Sequence, residues 1–367
     1  MDNQKPTKAL VSIIIITTVG TFFFSYFALM TLQNEIPSSL LTIWNRWDTA
    51  HYLDIAQRGY SNTTEGERYL RIVFFPFYPI LIRLFAFAFR DYMLSALIVS
   101  NLAYASATFY IYKLALLDHT EETALRTAFY FSIFPTAYFL HAGYTESLFL
   151  ALTIASFYYG RKGRWWLSGL IGMAASLTRI TGIILLPALI LEYISQKGVH
   201  IRSIRKDILW LTLIPFGFLL YLIANYLTFG NPFEFLQIQK EHWAKTLNFP
   251  WIGLLGAWHS TWWRSPADSI LVGWAEIIFG VLGFILTIWV GIRLRISYGV
   301  YMFITWLVVT STSFWLSIPR YTLSMFPLFI ALSLFGRIRG VNYSIIFFSL
   351  LFFGLFLSLF IQGRWAF

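Results

Sequence analysis

The sequence contains no cysteine, which excludes disulfide frameworks, thiolate metal sites and cysteine nucleophiles. Charge is scarce as well: Asp, Glu, Lys and Arg make up 12% of the 367 residues, against 58% hydrophobic. So little charge cannot cover the surface of a water-soluble domain of this length, and no polar stretch is long enough to form one. Internal repeats and low-complexity tracts are missing too. The chain therefore reads as all-α and polytopic, one membrane domain over 1–367. Lys plus Arg number 27 against 17 Asp plus Glu. Basic loops on the cytoplasmic side of membrane spans account for that surplus, so nucleic acid is not expected as a partner.

The first apolar run, 9–32, follows Lys5 and Lys8 and has no small-residue cleavage site behind it, so it reads as a retained first span with a cytoplasmic N-terminus. A first outer loop is then expected over 33–91, with turn-rich SNTTEGE inside it. The run 74–89 decides the topology. It is short for a span and carries Pro76, Pro79 and Arg83. Counted as a crossing, it would turn the basic loops 161–164, 196–206, 293–295 and 336–340 outward, with eleven of the 27 basic residues, against the positive-inside rule. Treated as an in-plane or re-entrant helix, it leaves those loops in the cytoplasm. Eleven spans follow on that reading: 9–32, 92–115, 123–141, 145–160, 165–178, 180–195, 207–229, 269–292, 298–317, 321–336 and 342–361. The pair within 165–195 is too short to cross twice, so its tip, Thr178 to Gly182, is expected below the outer surface with Arg179 in a cavity. The segment 230–268 forms a second large outer loop.

On this topology the unusual polar residues gather on the outer side. In WNRWDTAHYLDIAQRGY, 44–60, Asp48, His51, Tyr52 and Ile55 share one helical face. A carboxylate beside an imidazole, framed by Trp44 and Trp47, can serve as a base near a polyhydroxyl ligand; an aromatic anchoring belt is the plainer alternative. Asp54 and Arg58, four apart on another face, read as a solvated ion pair. Arg46, His141, Tyr144, Glu146, Arg179, His242 and Arg320 fall on the same side, where ionisable groups at span ends suggest a site. Two carboxylates with several arginines suit a phosphate-bearing ligand and a hydroxyl that loses a proton. The alternatives are that Arg179 and Arg320 pair with carboxylates or cap helix carbonyls, and that Glu146 complements a helix N-terminus. His141 and His259 read as interfacial. No His or carboxylate pair has metal-ligand spacing within one element, so no metal or other cofactor is expected, although Asp48, Glu146 and a histidine could meet in space.

RWDTAHYLDIAQRGY resembles the first outer-loop motif of the PIG-V family, the GPI mannosyltransferase 2 type of membrane glycosyltransferases. FFPFYP (74–79), FPTAYFLHAGYTESLF (134–149), TRITG (178–182) and IPRYTLSMFP (319–327) match in order, and RWDTAHYLDIAQRGY and FPTAYFLHAGYTESLF are more specific than TRITG and IPRYTLSMFP. The resemblance implies a GT-C fold with interfacial helices in the first outer loop, Asp48 and Glu146 as catalytic carboxylates, and polyprenyl-phosphate mannose as donor. The expected reaction is transfer of mannose, with inversion and Asp48 as general base, to a hydroxyl of a glycolipid or glycan acceptor. Arg46, His51, Tyr52, Tyr144, Arg179, His242, Trp243 and Arg320 would bind substrate. Arg179 and Arg320 would hold phosphate, Tyr52, Trp47 and Trp243 would stack on sugars, and the Phe-rich 74–89 helix would wall the prenyl chain. The site would face outward from the plasma membrane, or into the lumen of the endoplasmic reticulum in a eukaryote. Rival readings are a lipid-linked sugar flippase, which usually shows two related halves, and a non-catalytic subunit of a glycosylation complex.

Overall fold

The computed structural model describes residues 4–34, 36, 39–198 and 205–367. Residues 199–204, the middle of the expected basic loop 196–206, lie outside the described residues. The described chain is helical, with a single isolated β-bridge between Leu247 and Thr312. In order it forms α1 (Gln4–Gln33), α2 (Leu40–Ile43), α3 (Thr49–Arg58), a 3₁₀ segment (Glu65–Val73), α4 (Phe77–Phe89), α5 (Tyr92–Ala115), α6 (Glu121–Ile133) and α7 (Glu146–Arg161). Then come α8 (Trp165–Thr178), a 3₁₀ turn (Ile180–Ile184), α9 (Leu185–Lys197), α10 (Leu213–Phe229), α11 (Glu234–Trp243), α12 (Pro250–Trp263) and α13 (Pro266–Asp268). A π turn (Ser269–Trp274) leads into α14 (Ala275–Arg293), followed by α15 (Ile296–Thr310), α16 (Ile318–Leu323), α17 (Pro327–Phe335) and α18 (Arg339–Ile361).

Helix starts follow local chemistry. Asp91 Oδ1 accepts the Leu94 amide at 2.8 Å to open α5, and Thr120 caps α6 ahead of Glu121 and Glu122, where carboxylates favour the helix dipole. α7 is the centre of the molecule. It packs against α5, α8 and α9, and Glu146 through Ala151 are all buried. α8 in turn packs on α10, α14 on α15 and α16, and α17 on α6. Apolar side chains such as Ile16, Leu227 and Ile292 face outward, as lipid contact requires.

Six stretches among the described residues are long and apolar enough to cross a membrane: Pro6–Gln33, Tyr92–Ala115, Ile180–Lys197, Lys206–Phe229, Pro266–Arg293 and Arg339–Ile361. The other five expected spans correspond to helices of 13, 16, 14, 15 and 9 residues (α6, α7, α8, α15 and α17). The longest of these reaches about 24 Å at 1.5 Å per residue, short of a ~30 Å hydrocarbon core. The count of eleven is therefore not matched by eleven full-length helices. These helices are short because their neighbouring residues, 134–145, 179 and 311–317, leave α-helical geometry, with only a 3₁₀ turn at Ala137–Leu140. Irregular backbone is tolerable at membrane depth where protein covers it. Here 134–145 are all buried.

The 74–89 run bends at Phe74 and Pro76, and α4 departs from the preceding 3₁₀ segment at 119°. Thirteen residues reach about 20 Å, so α4 alone is too short to cross. Its Tyr78 is fully buried and donates to the Ala96 carbonyl at 3.1 Å, which holds α4 against α5.

Candidate active site

The site is assembled by four chain segments. Asp48 immediately precedes α3, and its carboxylate does not cap that helix and is left for tertiary partners. The loop before α7 supplies Tyr144, Thr145 and Glu146. Gly143 allows that loop to reach α3: a Cβ there would lie 2.7 Å from Thr49 Cγ2. Arg179 leaves α8 in extended geometry, and the turn behind it closes over α8 at Gly182, where a Cβ would meet Ala175 backbone at 2.5 Å. Arg320 comes from α16.

These residues make one ion network. Arg320 Nε donates to Glu146 Oε1 at 2.6 Å and Arg320 Nη1 to Asp48 Oδ2 at 3.0 Å. Arg179 Nη1 donates to the same Glu146 Oε1 at 2.5 Å and to Thr145 Oγ1 at 3.1 Å. The Arg320 guanidinium also lies 4.7 Å from the Phe139 ring centroid and 4.6 Å from that of Tyr144, which fixes its plane. Tyr144 ties Arg46 to Asp48, its hydroxyl accepting the Asp48 amide and donating to the Arg46 carbonyl, both at 3.2 Å.

Exposure separates the two carboxylates. The Asp48 side chain is 32% exposed and that of Glu146 is 0% exposed. Asp48 can meet a ligand directly, whereas Glu146 sits behind two guanidiniums that it holds in place. Glu146 Oε2 has no hydrogen-bond partner, and Arg320 Nη2 and Arg179 Nε and Nη2 donate to no acceptor among the described residues. Two positive and two negative groups leave the four-residue network electrically neutral.

α16 is itself held by a buried carboxylate. Glu276 of α14 accepts the Ser317 and Ile318 amides at 2.7 Å each, satisfying donors at the start of α16. Ser317 has φ +71°, an unfavourable conformation for a residue with a Cβ, so this seat is held in place by its surroundings. Arg320 follows within one helical turn.

The other expected site residues are distributed around this centre. Tyr52 lies beneath it, buried, with its hydroxyl 3.4 Å from Thr145 Oγ1 and its ring against Phe74 and Tyr78, which leaves no face for a sugar. His51 stacks on Phe74 with centroids 4.8 Å apart. Burial holds its imidazole below its ordinary range, opposed by the nearby Asp48 charge and reinforced by Arg71. Arg46 turns away, its Nε and Nη2 donating to the Ile361 carbonyl at 3.1 and 2.7 Å, where it caps α18. Trp243 packs edge-on against Phe74, and His242 reaches Tyr69, with Nε2 3.3 Å from the phenol oxygen. Trp44 is fully buried against Phe22 and Phe360, and only Trp47 of the framing pair is exposed.

Two sequence expectations are corrected. Asp54 and Arg58 do pair, but Asp54 is buried, and it also faces Arg68 at 3.4 Å and Arg71 at 3.0 Å. The two extra arginines come from the 3₁₀ segment and are invisible to a helical spacing argument. His141 is not interfacial: it is fully buried, with Nδ1 2.8 Å from Asn101 Oδ1. Thr145, Lys245, Glu276 and Tyr321 were not singled out from the sequence. Glu276 carried a usable signal, a lone carboxylate in an apolar run. No group of three or more metal-ligating side chains occurs among the described residues.

The family profile described as Mannosyltransferase (PIG-V) matches residues 9–252, most of the chain and three of the four site segments. The chain belongs to the PIG-V mannosyltransferase family. GPI alpha-1,6-mannosyltransferase 2 of Mus musculus is 26% identical over 220 residues, 54% of this chain and 43% of the mouse protein. The chain thus aligns with less than half the length of this relative. ArnT from Cupriavidus metallidurans, in a crystal structure bound to undecaprenyl phosphate, superposes with a TM-score of 0.56 at 12% identity, over 89% of this chain and 61% of ArnT. The oligosaccharyltransferase of Archaeoglobus fulgidus, in a crystal structure with zinc and sulfate, gives a TM-score of 0.50 at 11% identity, over 96% of this chain and 53% of its own. These likenesses establish the GT-C fold of this PIG-V family member.

Proposed function

We propose that this PIG-V family member transfers mannose from polyprenyl-phosphate mannose to a hydroxyl of a lipid-linked or glycan acceptor, with Asp48 as general base. The observation that carries the reading is the half-open Asp48 carboxylate, joined to Arg320 at 3.0 Å and backed by the buried Glu146–Arg179 pair. The acceptor hydroxyl attacks the anomeric carbon as its proton passes to Asp48. The bond from that carbon to the donor phosphate oxygen breaks on the opposite side, so configuration inverts and polyprenyl phosphate departs. Phosphate leaves readily without a proton, and positive charge on its oxygens is what lowers the barrier. Arg320 Nη2 and the free N–H groups of Arg179 are available for that purpose. Proton transfer to Asp48 weakens its hold on Arg320 as charge develops on phosphate, which frees that guanidinium for the leaving group.

The distribution of charge along α7 supports an outward-facing site. At the far end from Glu146, about 22 Å along the helix axis, Arg161 pairs bidentately with Asp118 at 2.7 Å. Lys162 and Arg164 follow it. The positive-inside rule puts that end in the cytoplasm. Incubating the protein in nanodiscs with host lipid extract and labelled donors tests the reaction. Consumption of polyprenyl-phosphate mannose and not of GDP-mannose is expected. Turnover of the nucleotide sugar alone would refute the proposed donor class.

A further inference from the structure

The network of Asp48, Glu146, Arg179 and Arg320 is neutral, yet the proposed donor brings a phosphodiester charge and the product is a phosphate monoester carrying about −1.5 to −2 at pH 7. One further cation stands beside it. Lys245 places Nζ 5.4 Å from the ring centroid of Tyr321, the residue after Arg320, and Arg179 lies 5.7 Å from the same ring. Tyr321 is within Coulombic range of Lys245, Arg179, Arg320 and Asp48 together. Lys245 is half-buried and makes no ion pair or hydrogen bond through its ammonium among the described residues. The nearby Glu276 carboxylate is engaged by two α16 amides.

The backbone on either side of Lys245 is fixed. Ser313 Oγ donates to the Ala244 carbonyl at 3.1 Å, the Ser313 amide to the Thr246 carbonyl at 3.0 Å, and the Asn248 amide to the Ser311 carbonyl at 3.1 Å. Residues 311–313 run on toward α16 through 314–317. The same stretch of chain therefore positions Arg320 and, through these bonds, Lys245.

We propose that Lys245 is a binding residue for the donor phosphate, with a stronger hold on the released polyprenyl phosphate monoester than on the sugar-bearing diester. The inference rests on the lipid-phosphate donor reading above. An ammonium with no ion-pair partner among the described residues binds the extra negative charge that forms as the sugar–phosphate bond breaks, an interaction that strengthens toward the transition state. A lysine at a tight, half-buried position with three free donors suits a point contact to phosphate.

The test measures binding of undecaprenyl phosphate to the full chain in nanodiscs, together with donor KM and kcat, for wild type, Lys245→Gln, Lys245→Met and Lys245→Arg. The neutral variants are expected to weaken undecaprenyl phosphate binding about tenfold, with a smaller change in donor KM, while the arginine variant stays near wild type. Neutral variants within twofold of wild type for undecaprenyl phosphate would overturn the role of Lys245 and leave the donor reading intact. A wild type that binds neither undecaprenyl phosphate nor polyprenyl-phosphate mannose would overturn both.

Discussion

Arg320 donates from Nη1 to Asp48 Oδ2 at 3.0 Å, joining residues 272 positions apart in the chain. The same guanidinium reaches Glu146 through Nε and lies between the Phe139 and Tyr144 rings. A lysine has neither the planar fork nor the width to make these contacts at once. Arg320→Lys is therefore expected to lower kcat/KM for mannose transfer by about a hundredfold, or ~2.7 kcal/mol. Transfer rates within threefold of wild type would show that the bridge is dispensable.

Glu146 neutralises two arginines whose side chains are only 15% and 11% exposed. Removing its charge leaves both guanidiniums with one remaining carboxylate, Asp48. Breaking a buried pair in this way typically costs about 3–5 kcal/mol. Glu146→Gln is expected to lower the thermal midpoint in nanodiscs markedly, whereas Asp48→Asn, at a half-open position, lowers it little. The reverse order would contradict the division of roles between the two carboxylates.

Glu276 acts on the site through α16. Glu276→Ala removes two hydrogen bonds at 2.7 Å and releases the strained Ser317 seat. Transfer is expected to fall at least tenfold, about 1.4 kcal/mol, with little additional loss when Glu276→Ala is placed in the Arg320→Lys background. Full multiplicative losses in the double variant would mean that Glu276 supports folding alone and does not position Arg320.

The half-buried stack of His51 on Phe74 gives a pH dependence. Burial holds the native imidazole below its ordinary range, so the unfolded chain binds the proton first as pH falls. The contribution of His51 to stability is complete above about pH 6.5 and declines as pH drops from there toward the lower native value. His51→Gln is expected to flatten the thermal midpoint between pH 7 and 5 relative to wild type. An unchanged slope in the variant would assign the pH dependence to other groups.

The legibility of this molecule follows the range of its interactions. Apolar content fixes a helical membrane protein, and the spacing of Asp48, His51, Tyr52 and Ile55 correctly marks α3, because those signals are local. Arg179 and Arg320 stood out as charges at span ends, but their shared partner, Glu146 Oε1, is set by the packing of α7, α8 and α16. Arg46 looked equivalent to them, and only the tertiary arrangement directs it to the Ile361 carbonyl. Hydropathy also marks as spans five runs that hold only short helices, since an apolar run broken by buried irregular backbone, as at 134–145, has the same composition as an unbroken helix. Lys245 is one basic residue among several in 230–268, and its bracket with 311–313 leaves no pattern in the sequence.

The most direct test of the account is single-turnover transfer of labelled mannose from polyprenyl-phosphate mannose by wild type and Asp48→Asn in nanodiscs with a defined acceptor. Asparagine keeps the size of Asp48 and removes its capacity to take a proton. A loss of at least 10²-fold in the transfer step, with donor binding and thermal midpoint close to wild type, is the predicted result. Equal transfer rates for the two proteins would contradict it and remove Asp48 from the chemistry.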